Sequence, residues 1–354
     1  MSLRFLPRHQ INVPEWDRCV AEAHNALLYG HSWYLDAVTN VPTTDGPVWR
    51  WEGLVQTDEA GRYVAVLPVP LRRRWGRWVV YQPLFCQFVA IFSAQPLDPA
   101  PFLDALTTRY RYASRLCCRL DTPLSKVPAF VRQQVLRTHV IRHVEPPFHA
   151  AHHRTVLTTN SADARQPQGM AALHYAPDRL MNLRRAQRRV AQTPGWRLMD
   201  SDDVRPLLAL FREHHADEIG VGEWAYGLFE GVFQALRQQG LGTLRYACVG
   251  GVPVAGAVFA EQHGRMIYLF NAANAEGRRL NARTLLLDEA LQNAASRSVQ
   301  TGLLFDFESP DKPGIVQFYE SFGATPEPYV LLSWNRLTRL ERLAQRLIKA
   351  KRLL

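Results

Sequence analysis

The residues best suited to chemistry in this 354-residue chain crowd between Asn271 and Tyr329. The run Gly277-Arg-Arg-Leu-Asn-Ala-Arg leads into Leu285 to Ala295, where apolar residues recur at helical spacing, so a helix is expected to begin near Asn281. A helix start offers N–H groups without acceptors and a positive dipole end, and Arg278, Arg279 and Arg283 add planar cationic forks. Together these read as an anion site suited to a pyrophosphate, against the plainer alternative of a solvated basic loop. Downstream, Leu303-Leu-Phe-Asp-Phe-Glu reads as a short buried strand. Asp306 and Glu308 lie two apart on it and should share a face, with Phe305 and Phe307 on the other. Either carboxylate could take a proton from a nucleophile, directly or through water. The structural alternative is a helix cap or an arginine partner. Glu261, at the end of its own strand, is a weaker candidate base.

Other chemistries have less support. The pairs His152-His153 and His214-His215 diverge on a strand or helix, and no HExxH, GxSxG or P-loop pattern occurs, so no metal is expected. Cys19, Cys86, Cys117, Cys118 and Cys248 form no CxxC pair and read as reduced, buried thiols. Trp33, Trp49, Trp51, Trp75 and Trp78 crowd the first half, where packing explains them better than a stacking platform.

The elements that must position these residues can be read from turn chemistry and periodicity. Helices are expected over Pro14 to Ala26 and Ser32 to Val38, then strands at Pro47 to Gln56, Arg62 to Leu71 and Gly76 to Tyr81. A helix ending near Ala113 and a strand from Arg115 to Leu120 follow the proline-rich break at Pro96, Pro99 and Pro101. The second half opens with a strand at Arg154 to Thr158 and a polar loop through Asn160 and Pro167. Helices at Asp178 to Gln192, Asp202 to His215 and Trp224 to Gln239 flank a short strand, Trp196 to Met199. Three antiparallel strands are then marked by hairpin turns at Gly250-Gly251 and His263-Gly264, and Pro313 to Phe322 forms a helix closed by Gly323. Tyr329 to Trp334 is the last strand. The halves share an order of elements, which suggests duplication of one α+β unit.

The order strand, arginine-rich loop, helix, strand, and then Gln317-Phe-Tyr-Glu-Ser-Phe-Gly resembles the C-terminal half of a GNAT acyltransferase, and more closely the double-GNAT proteins similar to the FemAB type. Tyr81-Gln-Pro-Leu-Phe, after an arginine-rich hairpin, is similar to their N-terminal half. The resemblance runs to about Leu337. It implies an α+β (mixed α/β) fold of two tandem GNAT-like domains, each a mostly antiparallel sheet flanked by helices: a degenerate domain over 1–150 and a donor-binding domain over 151–336, with a basic amphipathic helix over 337–354. It implies N-acyl transfer from acetyl-CoA or another acyl-CoA to a small-molecule or peptide amine. The donor would be held at Arg278, Arg279, Asn281, Ala282, Arg283 and Thr284. Phe318-Tyr319-Glu-Ser-Phe-Gly323 matches the motif in which a tyrosine protonates the departing thiolate, which assigns Tyr319 the general-acid role. A phenol suits that role because it stays protonated at neutral pH. In the family the loop reads Arg or Gln, two residues, Gly, one residue, then Gly or Ala. Lined up from Arg278, Asn281 and Arg283 stand where small residues are usual. The FemAB likeness also allows an aminoacyl-tRNA donor, and the departing loop allows a non-catalytic binding or scaffold protein. Between Tyr81 and Asp98 the first half has no glycine and no basic residue, so it offers no such cradle.

Composition agrees with a globular protein: 47% hydrophobic and 21% charged residues. The net charge of +10 favours anionic partners. Arg184, Arg185, Arg188 and Arg189 make one basic helix face, read as solvated or as a contact for tRNA. From Arg336 to Leu354, seven basic residues stand against one Glu, with leucines at helical spacing. That segment is expected to pack on the body, with contact to an anionic membrane as the alternative. Without an apolar leader or an 18-residue apolar run, the expected location is cytoplasmic, at most peripheral to the inner membrane face.

Overall fold

The computed structural model describes residues 2–41, 48–124, 127–142, 174–220, 222–297, 303–308, 312–342 and 345. In chain order, β1 (Ser2–Pro7) precedes α1 (Val13–Ala21) and α2 (Ser32–Thr39), and β2 (Trp49–Thr57), β3 (Tyr63–Arg74) and β4 (Arg77–Tyr81) form a meander. The short β5 (Val89–Ala90) and β6 (Phe92–Ser93) lead to α3 (Ala100–Arg109), β7 (Tyr112–Arg119) and β8 (Val131–Ile141). Next come α4 (Pro177–Ala191), β9 (Arg197–Ser201), α5 (Arg205–Ile219) and α6 (Trp224–Gln238). A second meander, β10 (Gly242–Val249), β11 (Val252–Gln262) and β12 (Arg265–Ala273), is followed by α7 (Ala275–Arg279), α8 (Ala282–Arg297), β13 (Leu304–Asp306), α9 (Pro313–Glu320) and β14 (Thr325–Asn335). The strand expected at Arg154 to Thr158 and most of the C-terminal basic segment lie outside the described residues.

Two-residue turns shape both meanders. Trp75-Gly76, Gly250-Gly251 and His263-Gly264 each hold two successive residues at positive φ, the backbone of a type I′ turn, whose twist matches that of the flanking strands. The chain divides into two compact units: Met1–Arg137 with Ile219–Gly242 and Pro328–Leu354, and Thr138–Glu218 with Thr243–Glu327. Relative to the expected halves 1–150 and 151–336, α6 and most of β14 belong with the first unit and the end of β8 with the second.

Within each unit the strand order is the same. The first runs β1-β2-β3-β4-β7-β14, antiparallel throughout except for the parallel pair β4 and β7. The second runs β9-β10-β11-β12-β13-β8, with β12 and β13 as its parallel pair and β8 antiparallel to β13. In both, a helix lies between the meander and its parallel neighbour in the chain, as a parallel connection requires. The last strand of each run comes from the other half of the chain, and of β8 only the end from Thr138 belongs to the second unit. The duplicated α+β topology expected from the order of elements is therefore present in the strand order and strand senses.

The units differ where chemistry is expected. In the second, α9 stands between β13 and β14; in the first, no helix occurs between β7 and β8 among the described residues. The first unit's tryptophans are packing groups. Trp16 and Trp51 are fully buried with ring centroids 5.0 Å apart, and Trp78 lies under the Arg50 guanidinium at 4.2 Å. All five cysteines are buried and unpaired. The second unit's core gathers Leu183 and Ala186 of α4, Leu286 and Leu291 of α8, and the aromatic set Tyr268, Phe305, Phe307, Tyr319 and Phe322.

Candidate active site

At the end of β12 the second unit opens a cleft of about 280 Å³. Its walls include Gly277, Arg278, Asn281, Arg283, Thr284 and Phe318. Three local features build it. Gly277 packs α7 onto β11 so closely that a Cβ there would overlap the Val254 carbonyl. Asn274 caps α7, its side-chain oxygen accepting from the Gly277 N–H at 2.8 Å. Asn281 then turns the chain from α7 into α8 with φ of +55°, in the left-handed region. That conformation is natural to glycine, and asparagine is among the few other residues that adopt it readily. The first turn of α8 follows at once, and its N–H groups have no acceptor within the helix.

Of the sequence-predicted anion-binding residues, Arg278, Asn281, Arg283 and Thr284 meet at this cleft. Arg278 also donates to the Ala273 carbonyl at 3.1 Å, and Arg283 reaches over Phe318 with its guanidinium carbon 5.9 Å from the ring centroid. Arg279 is not on the wall; it forks onto Glu276 at 2.7 and 2.8 Å. The Ala282 side chain is fully buried in the core, so its contribution to the cleft would be its backbone.

Tyr319 sits behind Phe318, only 4% exposed, stacked on Phe307 with centroids 4.5 Å apart and meeting Tyr268 edge-on at 6.3 Å. Burial pushes its phenol up to about 12; the Arg283 charge opposes this and the Glu308 carboxylate adds to it. Two more polar atoms in this neighbourhood, the Tyr268 hydroxyl and Glu308 Oε1, are buried without a hydrogen-bond partner. Buried polar groups are nearly always paired, so such a cluster beside a cationic cleft is suited to a ligand or to proton transfer.

The two carboxylates expected to share a strand face have separate settings. β13 ends at Asp306, and Glu308 follows with φ of +45°, outside the strand and in a conformation rare for its type. Phe305 and Phe307 both enter the core, as their spacing predicts, and the departure from regular strand is confined to Glu308. Asp306 is fully buried. One of its oxygens accepts from Arg265 at 2.7 and 3.0 Å, the other from Thr138 Oγ1 at 2.6 Å and from the Glu308 N–H at 2.9 Å. Arg265 also pairs with Glu327 at 3.0 Å. Asp306 has the partner set of a structural ion pair.

Glu308 is different. Burial pushes its carboxyl up to about 8, so near neutral pH it holds its proton. In the unfolded chain it would release that proton near 4.5, so between those values the native state binds more protons. Stability should then fall as pH rises through this window, by at most about 1.4 kcal/mol per unit. Urea midpoints of the wild type minus those of Glu308→Gln should decline from pH 5 to pH 8. A difference that stays constant would mean that the carboxyl ionises as it does in water.

Sequence reasoning missed Arg179 and Tyr268. Arg179 of α4 donates to Ser321 Oγ at 2.8 Å and to Thr284 Oγ1 at 3.2 Å, and lies over Phe318 and Phe322. The signal was its phase: it stands four residues before Leu183 and seven before Ala186, on the buried stripe and apart from the solvated arginines.

Residues 177–311 match the sequence model of the family described as the acetyltransferase (GNAT) domain. Over nearly its full length the chain superimposes on FemX, with a TM-score of 0.56, 11% identity, and coverage of 98% of this chain and 100% of the other. A tandem GNAT protein from the clavulanic acid biosynthesis pathway gives a TM-score of 0.51 at 11% identity, covering 95% and 99%. The chain has a tandem GNAT fold, with a GNAT domain in its second half. A conserved protein of unknown function from Bacteroides thetaiotaomicron VPI-5482 has a TM-score of 0.52 at 10% identity, covering 94% and 100%. The comparison with curated proteins gave no match. Against the GNAT loop pattern, Asn281 supplies the backbone form of the missing glycine, while Arg283 replaces a small residue with a cation on the cleft wall. No described helix is long and apolar enough to cross a membrane.

Proposed function

We propose that this protein is an N-acyltransferase that binds acyl-CoA at the α7–α8 cleft and passes the acyl group to a small-molecule or peptide amine. The observation that carries the reading is the meeting of Arg278, Arg283 and the first turn of α8 at one cleft, with Tyr319 and Glu308 beside it. A diphosphate would lie against the two guanidinium groups and the unpaired N–H groups of α8. β12 carries an extra residue near Leu269, where its register with β11 shifts between Val258 and Phe259. Such a bulge interrupts the ladder and frees a backbone donor of the kind that polarises a carbonyl.

In this reading Glu308 in its ionised form takes a proton from the amine nitrogen, directly or through water, as nitrogen bonds to the acyl carbon. The carbon–sulfur bond breaks, and Tyr319 gives its proton to the departing sulfur. Passage of the proton from Glu308 to Tyr319 restores both. A carboxyl held near 8 suits a base working close to neutral pH, and a buried phenol held near 12 stays protonated until a thiolate develops.

A second reading takes aminoacyl-tRNA as donor. It is favoured by Arg184, Arg185 and Arg188, exposed on α4 without a carboxylate partner among the described residues. Calorimetric titration with acetyl-CoA and desulfo-CoA separates the two. The first reading predicts binding to the wild type that weakens about tenfold in Arg278→Ala, with the loss reduced at higher salt. Absence of binding to either compound, with tight and salt-sensitive binding of aminoacyl-tRNA, would favour the second.

A further inference from the structure

Arg179 carries a charge that the fold does not neutralise. The guanidinium is half-buried between Phe318 and Phe322, and its hydrogen-bond partners are the hydroxyls of Ser321 and Thr284. No carboxylate pairs with it among the described residues, and burial holds its pKa below the usual arginine value. The carboxylate of Asp288 on α8 is committed to the Tyr175 phenol at 2.9 Å. Anchoring α4 would not require a cation here, because a buried charge without a counter-ion opposes folding.

The hydrogen-bond directions give the residue a use. Guanidinium is only a donor, so both hydroxyls must accept from it. Ser321 then passes its own hydrogen to the Phe318 carbonyl at 2.6 Å. Thr284, on the cleft wall, is left with its hydroxyl hydrogen as the free end. We propose that Arg179 is a positioning residue for donor binding: it fixes Thr284 as a hydrogen-bond donor facing the cleft, so that the site selects a ligand group that only accepts, namely a diphosphate oxygen. Arg278, Arg283, Thr284 and the α8 N–H groups thus stand in the cleft as donors, beside the Asn281 amide, with the Arg179 charge behind Thr284. This rests on the acyl-CoA reading above and names the group that the cleft discriminates.

The test is a double-mutant cycle on the full chain, with Arg179→Met, Thr284→Val and both together, titrated with desulfo-CoA and with inorganic pyrophosphate, and with Arg278→Ala as the control. Each single variant should weaken both ligands about tenfold, and the double variant should weaken them little further, because both act through one hydroxyl. The melting temperature of Arg179→Met should stay within about 3 °C of the wild type or rise, since an unneutralised charge is removed while the stem's packing on Phe318 and Phe322 is kept. Losses that add in the double variant would overturn the proposal, as would an Arg179→Met protein that melts much lower yet binds normally. If the ligands bind and Arg278→Ala weakens them while Arg179→Met does not, this inference fails and the acyl-CoA reading stands. If neither ligand binds the wild type, both fail.

Discussion

Tyr319→Phe is expected to lower kcat by about 10²- to 10⁴-fold with little change in the affinity for desulfo-CoA. The substitution removes one oxygen and keeps the ring that stacks on Phe307 and meets Tyr268. Donor affinity should hold because the cleft wall is Phe318, not Tyr319. The loss should appear in kcat, because a proton delivered to departing sulfur is needed only in the transition state. It should also shrink for donors whose leaving group is a better anion than an alkyl thiolate. Steady-state kinetics with such a donor beside acetyl-CoA checks this: an equal loss for both would mean that Tyr319 packs the helix and does not act as an acid.

Asp306→Ala should instead unfold the second unit more easily, by about 3 kcal/mol, because it strips a buried charge of its partner. Arg265 would keep Glu327, at 3.0 Å, which places the loss at the lower end of what breaking a buried pair entails. The change would also leave Thr138 Oγ1 and the Glu308 N–H without their acceptor. Glu308→Gln should show the opposite pattern, with turnover lost and stability at pH 8 kept or raised. Urea unfolding beside turnover for both variants tests the division. An Asp306→Ala protein of wild-type stability that has lost turnover would make Asp306 the base.

Much of this site was legible in the sequence, and the exceptions have physical causes. The hairpins at Gly250-Gly251 and His263-Gly264 were readable because positive φ at both turn positions demands particular residues. The start of α8 was readable from its apolar spacing. Missed were β1, a six-residue strand containing an arginine and ending in proline, and β8, whose Arg132, Gln133 and Gln134 interrupt any alternation. The exchange of the sixth strands was not legible at all, because a hydrophobic pattern says that a strand is half-buried but not which strand it pairs with. An arginine partner for Asp306 was among the readings, but the same limit hid which one, since Arg265 stands 41 residues away. Glu308 was expected within the strand, whereas the strand ends two residues sooner than the aromatic run suggested. The Asn281 departure from the family pattern is one of side-chain size, and nothing in the sequence signalled that its backbone takes the left-handed form natural to glycine.

The most direct test of the central claim is release of free thiol from acetyl-CoA by the purified protein in the presence of a panel of amines, with N-acetylated product identified by mass spectrometry. Thiol release should require an amine, rise with pH as Glu308 loses its proton near 8, and be lost in Tyr319→Phe. Binding of desulfo-CoA without thiol release for any amine would contradict acyl transfer and would make the cleft that of a binding protein.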